Sequence, residues 1–211
     1  MGPKTTRRHQ QGEESKERIL DAVIQIAAER GYEGTTVSLV SERSGLPVSS
    51  IYWHFGNKDE LIAAVIERGF RAWSAEQAEP FEVDPAATRR ELIAAILHHD
   101  VGSLARRHPE FLRFGLMLTL EQRAEEPKGR TLFLEARETS LERIVGGLAL
   151  VLEAERIPDD GFARRLGQLI IATVDGLFLA TRASLDLDDL NSHLDLLAGA
   201  IDLLIEERTP R

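Results

Sequence analysis

Between Thr35 and Gly56 the chain starts and stops two helices in quick succession, and this spacing limits its fold more than any other feature. Thr35 and Thr36 carry the hydroxyls that cap a helix N-terminus, Val37 and Val40 share a face, and Gly45 stands where the run to Ser44 would end. Pro47, tolerated in a first turn, opens a second short helix through Ile51 to about Phe55, and Gly56 stops it. The turn between the two is tight. Upstream, Ile19, Val23, Ile26 and Ala27 fall on one face of a longer helix that Gly31 closes.

Two short helices joined by a glycine-containing turn and packed on a longer one form the arrangement of a helix-turn-helix DNA-binding unit. The second short helix of such a unit docks by its apolar side and shows its other side to the major groove. Ile51 and Phe55, four apart, suit the docked side. Val48, Ser49, Ser50, Tyr52, Trp53 and His54 then face outward or sideways, with hydroxyl and imidazole groups for phosphates or bases and rings for sugars or a thymine methyl. Thr35 and Thr36 begin one helix and Lys58 begins the next, positions where free amides and the helix dipole favour a phosphate. Arg43 and Lys58 are the only cations between residues 35 and 60. Ser41 and Ser44, near a core position, are expected to bond back to the carbonyl four residues earlier. Pro47 brings no capping hydroxyl to the helix it opens.

The stretch Thr35 to Leu61, TTVSLVSERSGLPVSSIYWHFGNKDEL, resembles the DNA-binding domain of the TetR/AcrR family of bacterial transcriptional regulators. The most specific part is Tyr52, Trp53, His54 and Phe55 followed by Asn57, Lys58 and Asp59. The motif spans about the first third of the chain. The family often carries alanine where Ser41 and Ser44 stand, serine where Pro47 stands and glycine where Ser49 stands. The resemblance implies a repressor that binds double-stranded DNA at a near-palindromic operator, dimerises with a second copy through its C-terminal helices, and is released by a small-molecule effector. It also implies a bacterial cytoplasmic protein, associated with the nucleoid when bound to DNA.

The rest of the chain reads as helical. Asn57 and Glu60 resemble a capping box for a helix through Phe70 towards Pro80, and Pro80 to Pro85 marks a boundary. Further helices are expected from Leu92 to before Pro109, around Phe111 to Leu118, from Thr131 to Glu155, from Phe162 to Ser184, and from Leu190 to Leu204. A charged loop, Glu125 to Gly129, and an acidic turn at Asp186, Asp188 and Asp189 each separate two of them. No run of alternating β-branched residues argues for a strand. The expected fold class is all-α, about nine helices: residues 1–12 a flexible basic tail (Lys4, Arg7, Arg8), 13–72 the DNA-binding domain, and 73–211 a helical regulatory, ligand-binding and dimerisation domain. The 162–184 stretch is apolar nearly all round and the last helix has an apolar stripe, so together they suit half of a four-helix dimer interface. His98, Phe111, Phe114, Met117 and Asp175 are aromatic, flexible or polar groups in apolar helical context and are the candidate ligand-pocket residues; core packing is the other reading of each.

Composition narrows the chemistry. With 211 residues, 43% of them apolar, the chain buries a real core. It has no cysteine, which excludes disulfides, thiolate metal sites and a cysteine nucleophile, and fits a reducing cytoplasm. The most apolar region, Leu166 to Leu187, is interrupted by Gln168, Asp175 and Arg182 and reads as a buried helix, not a membrane span. His98 and His99 point to different sides of a helix, so neither they nor His108 suggest a metal, and no serine elbow or phosphate loop occurs. No enzyme and no cofactor is expected. The net charge of −9 argues against a polyanion partner, yet residues 1–60 hold eight Lys and Arg against nine Asp and Glu, while the remainder holds eighteen against twenty-six. A near-neutral N-terminal unit thus precedes an acidic body that should face away from a duplex. The alternative is a helical carrier or protein-interaction module of the same fold without DNA binding; the scarcity of cations favours it, and Thr36, Ser50, Tyr52 and Lys58 together speak against it.

Overall fold

The computed structural model describes residues 3–77, 84, 86–120, 126–181 and 187–209. Among them every regular element is helical: α1 (Pro3–Arg30), α2 (Val37–Ser44), α3 (Val48–Phe55), α4 (Lys58–Glu76), α5 (Arg89–Ile96), a π-helical segment (Leu97–Gly102), α6 (Ser103–Arg107), α7 (Pro109–Leu120), α8 (Lys128–Ala154), α9 (Phe162–Thr181) and α10 (Leu187–Glu206). Helical torsions at Ile96, Leu97, Gly102 and Ser103 make α5, the π segment and α6 one continuous rod. The all-α fold class and the short helix pair of the sequence are therefore as expected. No helix among the described residues is long and apolar enough to cross a membrane.

The Pro80–Pro85 boundary lies, apart from Asp84, outside the described residues, as do Glu125 and Asp186 and the side chains of Asp188, Asp189, Lys4, Arg7 and Arg8. The stretch 3–12, expected as a flexible tail, is corrected to the first turns of α1. Pro3 sits at the helix start, where its missing N–H costs nothing, and between there and Arg30 Gly12 is the one glycine and no further proline occurs.

The chain packs as two units, Met1–Phe70 with Arg113–Leu134, and Arg71–Leu112 with Glu135–Arg211. In the first, α1 packs on α2 and α3, and Ile19, Val23, Ile26, Val40, Ile51 and Phe55 are buried. Gly45 and Gly56 follow the two short helices at φ 67° and 73°, a left-handed backbone that other residues reach only at a cost. A Cβ on Gly115 would stand 1.9 Å from Phe133 Cδ2, so α7 and α8 approach closely here only because residue 115 has no side chain. In the second unit α10 lies along α5 and the π segment and also meets α9. Arg89 Nε donates to Asp202 Oδ1 at 2.5 Å and His98 Nε2 lies 2.8 Å from Asp195 Oδ1, pinning that packing at two levels.

Candidate nucleic-acid interface and internal cavity

The helix pair is held by polar groups around its turn. Thr36 caps α2, its hydroxyl accepting from Leu39 N at 3.3 Å. Ser41 and Ser44 depart from the expected bonds to carbonyls four residues back. Ser41 Oγ donates forward to Leu46 O at 2.7 Å; Ser44 Oγ donates to Ser41 O at 3.5 Å and accepts from Leu46 N at 3.3 Å. The physical reason is that the chain leaves α2 at Gly45, so Leu46 has no helical partners, and the two hydroxyls satisfy it. Arg18 of α1 donates to Ser44 O at 2.5 Å, closing the same turn from the other side. Pro47 begins α3 with no side-chain cap; its carbonyl instead accepts from Ser50 N at 2.9 Å.

On α3 the docked and free faces separate as the spacing requires. Ile51 and Phe55 are buried, whereas Val48, Ser49, Tyr52 and Trp53, at offsets of one, four and five, are exposed, Tyr52 to 50% and Trp53 to 78%. Ser50 and His54 are half-buried. The His54 ring meets Trp53 edge-on at 4.7 Å. Burial, and then the charge of Lys16, pushes His54 below the ordinary histidine pKa. Lys16 of α1 thus acts on α3 although the sequence motif did not single it out; its place on the α1 surface becomes informative only once α1 is packed.

The other expected DNA contacts divide. Thr35 is buried and donates to Gly31 O at 2.8 Å, which takes its hydroxyl inward, while Thr36 is exposed. Lys58, at the start of α4, donates to Tyr32 O at 3.0 Å with its ammonium 4.1 Å from the Tyr32 ring centre, and Tyr32 in turn donates to Asp59 Oδ1 at 2.8 Å. Asn57 Oδ1 accepts from Glu60 N at 2.8 Å, one arm of the expected capping box, while the Glu60 carboxylate pairs with Lys128 at 2.7 Å. Arg43 forks onto Glu29 with two bonds of 2.9 Å and reaches Gln25 at 3.5 Å. That hydrogen bond holds the Glu29 carboxyl below its usual range, and a phosphate would have to replace Glu29 to use Arg43.

The second unit contains a small cavity of about 20 Å³, room for roughly one water. Trp73, Leu104, Leu112, Ile144 and Ile171 supply apolar wall, and Asp100, Arg137 and Ser140 supply polar atoms. The π segment forms one side. Trp73 Nε1 donates to Asp100 O at 3.0 Å and Gln77 Nε2 to His99 O at 3.0 Å, so the end of α4 is bonded to two carbonyls of the π segment. Arg137 donates to Asp175 Oδ1 at 2.8 Å and bonds its second oxygen as well. Burial raises the Asp175 pKa, against the opposing pull of Arg137.

None of the five pocket candidates read from the sequence lines this cavity directly. Asp175 reaches it through Arg137; Phe111 is fully buried core; Phe114 and Met117 belong to the first unit; His98 pairs with Asp195. The lining residues come from α4, the π segment, α6, α7, α8 and α9, so no local pattern marks them. Trp73 and Asp100 carried the best available signal, a large aromatic and an acid in helical apolar runs.

Residues 19–65 match the family model described as bacterial regulatory proteins, tetR family. Over most of its length the chain is also similar to the HTH-type transcriptional regulator AcrR of Shigella flexneri, 26% identical over 80% of this chain and 78% of that protein. The HTH-type transcriptional repressor NicS of Pseudomonas putida is likewise 26% identical, over 96% of each chain. Among solved structures, a transcriptional regulator from Rhodococcus sp. Rha1 superposes with a TM-score of 0.64 at 26% identity, covering 88% of this chain and 95% of that one. The regulator FadR from Bacillus subtilis, in complex with stearoyl-CoA, shares the fold at TM-score 0.64 and 22% identity, over 86% and 96% of the two chains. These relatives are transcriptional regulators, not enzymes.

Proposed function

We propose, from the tetR-family match over residues 19–65 and the helix-turn-helix that it covers, that the chain is a DNA-binding transcriptional regulator of that family, a homodimeric repressor released by a small-molecule effector. The observation that carries the reading is α3, whose outer face leaves Tyr52 and Trp53 in solvent beside Val48 and Ser49 while Ile51 and Phe55 dock. Exposed aromatics of this size are costly unless something covers them. Residues 13–72 would contact the operator and residues 73–211 would dimerise and take the effector. Thr36, Ser49, Ser50, Tyr52, Trp53, His54 and Lys58 are the proposed contacts. Arg43 joins them when a phosphate displaces Glu29, and Thr35 acts by closing the loop before α2.

Support for the dimer comes from α9 and α10. Leu169, Ala172, Gly176 and Leu179 recur at intervals of three, four and three on α9, and Leu196, Ala200 and Leu203 at four and three on α10; all are exposed in the single chain. Two such stripes from each of two copies make a four-helix seam. Pairing would set two α3 helices about 34–36 Å apart, facing successive major grooves of a near-palindromic site. α4 supplies Lys58 to one unit and Trp73 to the wall of the other's cavity, so an effector that displaces Trp73 would bias α4, and ligand and DNA affinity would be reciprocally coupled.

The test is a mobility-shift titration of the full chain against the DNA flanking its own gene, with sedimentation of the free protein. A dimer that protects an inverted repeat is expected; no specific binding at low salt would refute the reading and favour the carrier alternative. Lys58→Ala should weaken binding to all sequences alike and flatten the salt dependence by about one phosphate per subunit.

A further inference from the structure

The second unit's cavity carries a specific chemistry in its wall. Among the described lining residues the one cation is Arg137 and the one anion is Asp100, and the two are held differently. Asp100 has its peptide oxygen fixed by Trp73 and its carboxylate faced by Arg143 Nε at 3.4 Å and His99 Nδ1 at 3.7 Å. An ammonium arriving there would meet Arg137 and Arg143 together. Arg137 instead presents a guanidinium whose fork is taken by a carboxylate of the protein itself, Asp175 on α9. Nothing in that geometry requires the carboxylate to be the chain's own.

We propose that the effector class admitted here is an apolar monocarboxylate whose carboxylate replaces Asp175 on the Arg137 guanidinium, its hydrocarbon part opening the contact between Trp73, Leu104 and Ile144. The inference deepens the ligand-responsive reading above and rests on it. Exchange of one carboxylate for another keeps the bidentate bonding and the local charge count at Arg137, while the incoming molecule adds apolar burial that Asp175 lacks. Burial holds Asp175 above the usual carboxylate range, so in this pair the chain's own anion is poorly solvated. Its side chain, 21% exposed, can turn to water once displaced. Ser140, which donates to Ala136 O at 2.9 Å, keeps its oxygen as an acceptor on the same helix.

The experiment uses the full chain carrying Trp53→Phe, which leaves Trp73 as the one indole reporter of the two the sequence holds. Octanoate, decanoate, benzoate and naphthoate are titrated beside their amides and the corresponding primary amines, with binding read by Trp73 emission and calorimetry. At least one acid should bind, its amide about tenfold or more weaker and its amine weaker still. Asp175→Asn should strengthen the acid severalfold by removing its competitor, and Arg137→Gln should abolish the preference for acid over amide. Should Arg137→Gln fail to fold, the double variant R137Q/D175N, which replaces the ion pair by two amides, takes its place. An amine that outbinds its acid, acid binding unchanged without Arg137, or no binding across the series would each overturn the inference. Operator release is measured separately: an acid that binds by these criteria yet leaves the DNA complex intact would refute the regulatory reading while the ligand class stands.

Discussion

The two tryptophans of this chain are put to opposite uses. Trp53 on α3 is 78% exposed, whereas Trp73 at the end of α4 is 1% exposed and bonded through its indole to Asp100 O. The same side chain therefore lies on the surface of one unit and in a cavity wall of the other. The charges invert in parallel: the ion pair between α1 and α2, Arg43 with Glu29, lies in solvent, while Arg137 and Asp175 are largely buried. Each region breaks the usual distribution, apolar outside in one and charge inside in the other. Such departures are where the proposed DNA and effector sites lie.

The sharpest test of this contrast is truncation of each ring. Trp73→Ala should lose about 3–5 kcal/mol in a urea melt, from lost burial and the cavity left behind. Trp53→Ala should change stability by less than about 0.5 kcal/mol yet weaken operator binding more than about tenfold. If both variants melted alike, the contrast would be broken. The charge pairs give a smaller version. Removing Arg137 alone should cost about 1–3 kcal/mol, since it strands a largely buried carboxylate, while Arg43→Ala should leave the melt unchanged and alter DNA binding only.

Thr36→Ala removes the α2 cap and should cost about 1 kcal/mol, with Thr36→Ser restoring most of it. α3 has no comparable cap to lose, so the two short helices are stabilised unequally, and hydrogen exchange should be faster at Ser49 and Ser50 than at Leu39. The smallest effect concerns His54. Its folded pKa lies below the ordinary value of about 6.5, so as pH falls the unfolded chain takes up the proton first. Its contribution to stability is complete above that value and is lost as pH drops through the window between it and the folded pKa. A ring-proton NMR titration should find a midpoint below 6.5 in the free protein; a midpoint above it would show His54 charged on the DNA-facing side.

Much of the first region is legible without coordinates because its signals are local. Gly45, Pro47 and Gly56 set helix ends within their own turns, and the four-residue spacing of Ile51 and Phe55 assigns the docked side of α3. Ser41 and Ser44 were harder. Their hydroxyls serve Leu46, and that choice depends on how the chain leaves α2. Thr35 and Thr36 look equivalent in sequence, yet one turns inward to Gly31 O and the other caps a helix in solvent.

The cavity is the opposite case. Its wall joins residues from Trp73 to Val174, and no pattern of period 3.6 says which buried face meets which. Phe111, Phe114 and Met117 have the right composition for a pocket but are not among the residues that line this cavity. The amino-acid sequence by itself determined the all-α class of the described residues, the tight pair of short helices between Thr35 and Gly56, and which side of α3 is free, because helix capping, termination and facing act over a few residues. Only the tertiary structure decided that Trp73, Asp100 and Arg137 share a cavity and that Asp175 holds the guanidinium there, because helix-to-helix packing brings together groups separated by up to a hundred residues and burial alone turns an ordinary aspartate into a costly one.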